Sequence, residues 1–142
     1  MDAARPPFRA PPFRVLVVED DVSDARMLAH LLRDDGYEVE LALDGASAIS
    51  RLAQTPAPDA LIVDYKLPHV DGLAIASYAR SRDPNIEVLV VTGYPEIVER
   101  LATHLGGAML RAVLTKPLIY SDLVTHLEQA RVARMRSAGA VG

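Results

Sequence analysis

The chain contains no cysteine and has no excess of positive charge. Without cysteine it can form neither a disulfide nor a thiolate site, which is typical of a reducing compartment. Its 15 basic and 19 acidic residues give a net charge of -4, whereas a basic patch is expected of a nucleic-acid-binding domain. No apolar run approaches the roughly 18 residues of a membrane span, and the N-terminus lacks the apolar segment of a secretory signal. We therefore expect a cytoplasmic protein that contacts neither membrane nor nucleic acid directly.

The length and composition predict one domain between two tails. The chain has 142 residues, half of them hydrophobic, which is enough for a single packed core. The tetrapeptide Pro-Pro-Phe-Arg occurs twice between residues 6 and 14, and its prolines favour extended chain. We expect a flexible N-terminal tail over residues 1–13, a domain over 14–136 and a flexible C-terminal tail over 137–142. Because both phenylalanines lie near the first boundary, docking of that tail on a partner is the alternative.

Short apolar runs alternate with segments of helical periodicity between the tails. The predicted strands are 14–18, 38–43, 60–63, 87–91 and 111–114, and the predicted helices are 22–35, 46–53, 73–81, 95–105 and one that opens with Ser121 as its N-cap. Strands separated by helices indicate a parallel sheet. The second strand alternates polar and apolar residues, as an edge strand does, and the third is apolar throughout, as a central strand is.

Five polar residues stand where four of these strands end: Glu19, Asp20, Asp64, Thr92 and Lys116. The carboxyl ends of parallel strands meet at one edge of an open sheet, where such folds bind their ligands. We therefore expect one pocket that contains three carboxylates, a hydroxyl and an ammonium. This set of groups suits divalent-metal-assisted phosphoryl chemistry on an aspartate.

The three carboxylates predict a counter-ion. Two like charges ~5 Å apart repel by roughly 3 kcal/mol at an effective dielectric near 20, and Mg²⁺ takes oxygen ligands, often one or two carboxylates with phosphate oxygens. Asp21 is an alternative inward residue, although its place before Val22 favours a helix-capping role. Taken singly, Asp64 could be a turn aspartate, Lys116 a surface lysine and Thr92 an ordinary strand end.

Four motifs occur in order at the predicted strand ends. They are Val17-Val18-Glu19-Asp20-Asp21, Asp64-Tyr65-Lys66-Leu67-Pro68 with Val70-Asp71-Gly72, Val91-Thr92-Gly93, and Leu114-Thr115-Lys116-Pro117. With these motifs the chain resembles, from about residue 14 to residue 136, a response-regulator receiver domain of two-component signalling. The resemblance implies a CheY-like, flavodoxin-like α/β fold. This fold is a doubly wound five-stranded parallel sheet of order 2-1-3-4-5, flanked by five helices.

The resemblance also implies a role for each polar residue. Asp64 would accept a phosphoryl group from a histidine kinase or a histidine phosphotransfer protein. Asp20, Asp64 and the backbone carbonyl of Lys66 would bind Mg²⁺, with Glu19 acting through metal-bound water. Thr92 would move toward the phosphoryl group and Lys116 would contact it. The movement of Thr92 would alter a protein-binding surface around the fourth helix, fifth strand and fifth helix, a surface that can also form homodimers.

One position departs from the pattern of the family. Receivers usually carry an aromatic residue three positions before the lysine, where this chain has Val113. A valine has no ring to follow the movement of Thr92, and Tyr94 is the nearby residue that could supply one. Lys66 and Tyr94 flank the expected path of attacking water. We therefore regard Lys66, Tyr94 and Val113 as candidate modulators of the phosphorylated state.

Two other functions compete with a phosphorylatable receiver. A phosphorylation-independent binding module with the receiver fold is favoured only by Val113, and the complete polar set opposes it. An aspartate-nucleophile phosphohydrolase would need a second aspartate two residues after Asp64, where the chain has Lys66. We therefore expect catalysis only of the protein's own phosphorylation and dephosphorylation.

The organisation of the chain predicts how the receiver would act on its target. Because only a short tail follows the fifth predicted helix, we expect a stand-alone receiver with no attached output domain, which acts on a downstream protein target. A receiver that belongs to a larger regulator or a hybrid kinase would show the same sequence.

Overall fold

The computed structural model describes residues 12–105 and 110–141, which form a sheet with helices on both faces. The strands are β1 (Arg14–Val18), β2 (Glu38–Ala42), β3 (Ala60–Asp64), β4 (Lys66–Leu67), β5 (Val70–Asp71), β6 (Glu87–Thr92) and β7 (Ala112–Thr115), and the helices are α1 (Val22–Asp34), α2 (Gly45–Leu52), α3 (Gly72–Arg82), α4 (Pro95–Leu105) and α5 (Tyr120–Val141). The main sheet is parallel, with the order β2-β1-β3-β6-β7. This is the predicted order 2-1-3-4-5, because the fourth and fifth predicted strands are β6 and β7.

The strands build two core layers because their apolar residues alternate between the two faces of the sheet. In β1, Leu16 and Val18 lie in one layer, which also contains the inward residues of α2, α3 and α4. Val15 and Val17 lie in the other layer, with the inward residues of α1 and α5. Every residue of β3 is buried, so a central strand is confirmed, and β2 alternates as an edge strand should.

Three aspartates cap the helices that begin at the carboxyl edge of the sheet. The carboxylates of Asp21, Asp44 and Asp71 accept hydrogen bonds from the backbone N–H of the residue three positions on, at 2.9, 2.7 and 2.9 Å. This geometry satisfies one N–H that the first helical turn leaves without a partner. The predicted capping role of Asp21 is therefore confirmed.

The structure contains a hairpin that the sequence analysis missed. Strands β4 and β5 pair antiparallel, with Leu67 opposite Val70. Pro68 and His69 form the turn between them, and His69 has a φ of 69°, which is what the third position of a type II turn requires after proline. Strands of two residues are too short to show periodicity, so only the proline could have indicated them.

The predicted tail boundaries need correction at both ends. Residues 1–11, with the first Pro-Pro-Phe-Arg, lie outside the described residues, but Phe13 is buried and packs edge-on against Tyr37 with ring centroids 6.1 Å apart. At the other end, α5 runs through Val141 instead of ending near residue 136. Shortly before that predicted end, Arg134 makes ion pairs at 3.2 Å to Asp59 and to Asp83.

The start of α5 also differs from the prediction. The helix begins at Tyr120, and the carbonyl of Ile119 accepts the first helical hydrogen bonds, so Ser121 lies inside the first turn and is not the N-cap. The hydroxyl of Tyr120 donates to Oδ2 of Asp35 at 2.6 Å and lies 3.1 Å from the carbonyl oxygen of Leu31. These contacts with α1 fix the start of α5 and override the local capping preference of serine.

Candidate functional site

The sheet brings the predicted polar residues to one edge. Asp64 and Thr92 are the last residues of β3 and β6, and Glu19 and Lys116 directly follow β1 and β7. β1 and β6 are the neighbours of β3 on either side, and β7 lies next to β6. Glu19, Asp64 and Thr92 are buried, with 9, 7 and 0 % of their surface exposed. The strand order therefore produces the convergence that the sequence pattern predicts.

Three carboxylates form an acidic cluster at the centre of this edge. One carboxylate oxygen each of Glu19, Asp20 and Asp64 lies within 4.8 Å of the others. Asp20 is exposed, while Asp64 lies at the bottom. Oxygen donors at this spacing fit a hard divalent cation such as Mg²⁺ better than a metal that prefers nitrogen or sulfur.

Lys116 neutralises part of the acidic cluster. Its Nζ donates to Oδ2 of Asp64 at 2.7 Å and to Oε1 of Glu19 at 3.0 Å. Burial alone would lower the pKa of Lys116, but the hydrogen bonds and charges of Asp64 and Glu19 outweigh this effect and raise the pKa above its usual range. The ammonium is therefore charged at neutral pH and holds two of the three carboxylates.

Glu19 has a second partner on its other oxygen. The backbone N–H of Asp21 donates to Oε2 of Glu19 at 3.0 Å, while the Asp21 carboxylate caps α1. The alternative in which Asp21 points into the pocket is therefore wrong. The cap uses the Asp21 side chain because α1 starts at the next residue.

Thr92 forms hydrogen bonds with the backbone of the segments that follow β6 and β7. Its Oγ1 accepts a hydrogen bond from the N–H of Tyr94 at 3.1 Å, and its carbonyl accepts one from the N–H of Lys116 at 2.8 Å. Because Oγ1 acts as acceptor in the first bond, the hydroxyl proton remains available for donation. A phosphoryl oxygen is a group to which this proton could be donated.

The chain returns after the hairpin to the backbone of Asp64 and Tyr65, and Gly72 makes this close approach possible. The N–H of Gly72 donates to the carbonyl of Tyr65 at 2.6 Å. A Cβ on residue 72 would lie 2.4 Å from the carbonyl oxygen of Asp64. Gly72 closes the second sequence motif, and this close approach is the reason for a glycine at that position.

The side chain of Lys66 contacts that of Tyr94. The backbone N–H of Lys66 donates to Oδ1 of Asp64 at 3.3 Å. The Lys66 Nζ lies 3.2 Å from the hydroxyl of Tyr94 and 5.2 Å from the centroid of its ring. Both side chains are exposed, so the two candidate modulators are brought together. Metal binding by the Lys66 carbonyl stays a prediction.

Val113 lies in β7 opposite Val90 of β6. It is half-buried and packs against the core layer that contains α4, to which Ile97 also belongs. The side chain therefore supports the packing of α4, and β7 offers no ring at this position.

A cavity of about 400 Å³ opens beside the acidic cluster. Asp64 and Lys116 line its polar end, and Leu31 and Leu118 belong to its apolar wall, together with Met27, which is 61 % exposed. The approach to Asp64 is thus open and largely apolar.

In the part of the chain that the structure describes, no helix combines the length and apolar character needed to cross a membrane.

The comparisons with known proteins agree with this geometry. The family model described as response regulator receiver domain matches residues 15–128. The chain is 36 % identical over 114 residues to response regulator MprA of Mycobacterium avium (strain 104), which is 80 % of this chain and 49 % of that protein. It is 34 % identical over 127 residues to transcriptional regulatory protein PrrA of Mycobacterium leprae (strain TN), which is 89 % of this chain and 52 % of that protein. The chain thus spans about half the length of the curated relatives it matches.

Solved structures give the same assignment. A response regulator receiver protein from Sinorhizobium medicae WSM419 is 27 % identical, with a TM-score of 0.77 over 87 % of this chain and 97 % of that one. A CheY-like receiver domain protein from Methanospirillum hungatei JF-1 has the same fold, with a TM-score of 0.80 at 24 % identity over 89 % of this chain and 99 % of that one. The family match, the sheet order and the strand-end cluster agree, and the chain belongs to the response-regulator receiver domains of two-component systems.

Proposed function

We propose that this receiver is switched by phosphorylation of Asp64, with a phosphohistidine of a histidine kinase or phosphotransfer protein as the donor. The observation that carries the proposal is the position of the Asp64 carboxylate. It lies at the bottom of the acidic cluster, and Lys116 donates to one of its oxygens at 2.7 Å. A buried carboxylate with low-dielectric walls and an adjacent ammonium is suited to attack phosphorus.

Phosphoryl transfer to Asp64 forms one bond and breaks another. An Asp64 oxygen forms the new P–O bond while the P–N bond of the donor breaks. The leaving histidine nitrogen keeps the electron pair, and the ring departs as neutral imidazole, with the proton already on its other nitrogen. Lys116, already within hydrogen-bond distance of Asp64 and Glu19, is placed to neutralise charge on the phosphoryl oxygens.

The acidic cluster would hold the divalent cation that this reaction requires. Asp20, Asp64 and the Lys66 carbonyl are the proposed ligands, and Glu19 would act through an intervening water. A bound Mg²⁺ would supply positive charge that offsets the repulsion between the carboxylates and the phosphoryl group. The support is the oxygen-only donor set within 4.8 Å.

Phosphorylation would change the surface formed by α4, β7 and α5. The phosphoryl group adds about -1.5 to -2 charges and three acceptor oxygens, and the Thr92 hydroxyl has a proton to donate. Because Thr92 lies three residues before Pro95, the first residue of α4, its movement would shift the start of that helix. A downstream protein, or a second copy of the chain, would read the change.

The cavity beside Asp64 supports donor access from the α1 side. Its wall of Leu31, Met27 and Leu118 is apolar, so a helix of the donor protein could bury it while a phosphohistidine reaches Asp64.

The chain would act as an enzyme only on itself, through its own phosphorylation and dephosphorylation.

Intact-protein mass spectrometry after incubation with acetyl phosphate tests the proposal. We expect a gain of one phosphoryl mass with Mg²⁺, no gain in EDTA, and no gain for Asp64→Asn. Asp44→Asn is the matched control, since Asp44 caps α2 and does not belong to the acidic cluster, and asparagine caps equally well. If the wild type stays unmodified in samples quenched within seconds, a phosphorylation-independent binding module becomes the better description.

A further inference from the structure

Lys66 is one of only two lysines in the chain, and the proposed function gives its side chain no role. Of the 15 Lys and Arg residues only Lys66 and Lys116 are lysines, and each hydrogen-bonds Asp64, Lys66 through its backbone N–H and Lys116 through its side chain. Arginine presents a rigid planar fork, whereas lysine carries a compact charge on a flexible stem. A flexible point charge is the cation that can change partners without rebuilding its surroundings.

Lys66 has such a choice of partners. Its backbone is fixed next to the acceptor, because its N–H donates to Oδ1 of Asp64 at 3.3 Å. Among the described residues, its exposed side chain contacts Tyr94 at its end, with the hydroxyl at 3.2 Å and the ring face at 5.2 Å. These are contacts of an ammonium with a neutral group, and a charge-assisted bond to an anion is about twice as strong as a neutral one.

Tyr94 connects this contact to the start of α4. Its N–H donates to Oγ1 of Thr92 at 3.1 Å, and its carbonyl accepts from the N–H of Ile97 at 3.0 Å. It also directly precedes Pro95, the first residue of the helix. Tyr94 is therefore the residue at which the switch hydroxyl, the Lys66 side chain and the first turn of α4 meet.

We propose that Lys66 is a second cationic contact of the phosphoryl group, which its ammonium reaches by leaving Tyr94, and that this exchange frees Tyr94 and the first turn of α4. The inference rests on the proposed phosphorylation of Asp64. Lys116 donates to Oδ2 of Asp64 and to Glu19, whereas the other Asp64 oxygen, Oδ1, accepts from the backbone of Lys66, whose flexible side chain carries the second charge. A phosphoryl group with about -1.5 to -2 charges competes for Lys66 far better than a phenol does.

This exchange also accounts for Val113. A receiver with no ring in β7 needs another route from the acceptor to its surface. In this chain the ring lies in the loop that follows β6, and it is held by the side chain of a residue two positions from Asp64. Phosphorylation would therefore be reported by release of Tyr94 and not by movement of a β7 side chain.

Selective ¹³C-lysine labelling tests the exchange directly, because the protein then gives two ε-methylene signals. In the resting protein, the ring current of Tyr94 should shift the Lys66 signal upfield, and Tyr94→Leu should remove that shift. Mg²⁺ with beryllofluoride, a stable phosphoryl analogue, should move the wild-type Lys66 signal to its position in Tyr94→Leu. The Lys116 signal should move as well, and it reports binding of the analogue at Asp64.

The two lysine signals separate the possible failures. If Lys116 responds and Lys66 keeps its upfield shift, the exchange is refuted while the proposed function stands. If neither signal responds and acetyl phosphate adds no mass to Asp64, the proposed function fails and the inference fails with it.

Hydrogen exchange tests the second half of the inference. In the wild type, Mg²⁺ with beryllofluoride should speed exchange of the amides from Tyr94 to Ile97. Tyr94→Phe, which keeps the ring and loses the hydroxyl, and Lys66→Met, which loses the charge, should both show faster exchange at rest and a smaller further increase. Tyr78→Phe, on α3, is the matched control and should behave as the wild type. An increase in Tyr94→Phe as large as that of the wild type would refute the coupling.

Discussion

Replacing Asp20 with asparagine should stabilise the protein in the absence of metal, because Asp20 is the least compensated member of the acidic cluster. Its carboxylate oxygen lies within 4.8 Å of those of Glu19 and Asp64, and at that distance a pair of charges repels by about 3.5 kcal/mol at a dielectric of 20 and by about 0.9 kcal/mol in bulk water. Lys116 donates to Glu19 and Asp64. Asp20 has no comparable hydrogen bond from this lysine.

The net gain is smaller than the sum of the repulsions. Loss of the Asp20 charge removes two repulsions but also one attraction to Lys116, which leaves the equivalent of roughly one pair. Because Asp20 is exposed, solvent screening places the gain near the lower bound, at about 1 kcal/mol. For a domain of this size that corresponds to a rise of roughly 3 to 5 °C in melting temperature.

Thermal unfolding in EDTA and in Mg²⁺ measures both consequences of the change. The wild type should gain about 2.7 kcal/mol when Mg²⁺ is present at 100 times its Kd, and Asp20→Asn should gain little or nothing. Asp44→Asn serves as the control, with the wild-type response to metal. A lower melting temperature for Asp20→Asn in EDTA would refute the electrostatic reasoning, and an undiminished response to Mg²⁺ would refute the assignment of Asp20 as a ligand.

Two further predictions concern stability. Gly72→Ala should lower the free energy of unfolding, measured in urea, by about 1 to 3 kcal/mol, because the new Cβ would lie 2.4 Å from the Asp64 carbonyl oxygen. The control Gly93→Ala, whose Cβ would meet no atom within 4 Å, should change this free energy little. Equal effects of the two substitutions would contradict the steric reason. Hydrogen bonds from Arg131 and Tyr37 lower the pKa of Glu128 below 4.5, so its contribution is complete above that pH and is lost as the pH falls through the folded-state pKa. Glu128→Gln should therefore be less stable at pH 7 and lose less stability on acidification, and parallel pH profiles of melting temperature would exclude this role.

The fold could be predicted closely because its central strands consist of consecutive apolar residues. Each residue of such a run is buried on one face or the other, so β1, β3 and β6 were located within one residue. Errors occurred where a distant contact decides the local structure. Phe13 is ordered by Tyr37, and the start of α5 by the contacts of Tyr120 with α1, and neither contact leaves a local signal.

The composition of the site was predictable, and so was a pairing of Lys116 with Asp64, but the second partner of Lys116 was not. Strand ends indicate which residues converge, and the carboxylates, Thr92 and Lys116 do converge. They do not indicate that Lys116 also bonds Glu19, since Asp20 was an equal candidate. Nor could they indicate the contact of Lys66 with Tyr94, because Lys66 lies in the missed strand β4 and Tyr94 in the loop after β6, 28 positions along the chain.

The hydrogen bonds within the acidic cluster favour different roles for its carboxylates. Both oxygens of Glu19 are engaged, one by Lys116 at 3.0 Å and one by the N–H of Asp21 at 3.0 Å. Direct metal binding by Glu19 would disturb these bonds, and hydrogen bonds to charged groups contribute about 1.5 to 3 kcal/mol each. Oδ1 of Asp64 has only a long contact of 3.3 Å, and Asp20 faces solvent. A cation that enters from solvent can therefore bind Asp20 and Asp64 directly at the lowest cost, whereas contact with Glu19 through a water leaves the bonds of Glu19 with Lys116 and Asp21 in place.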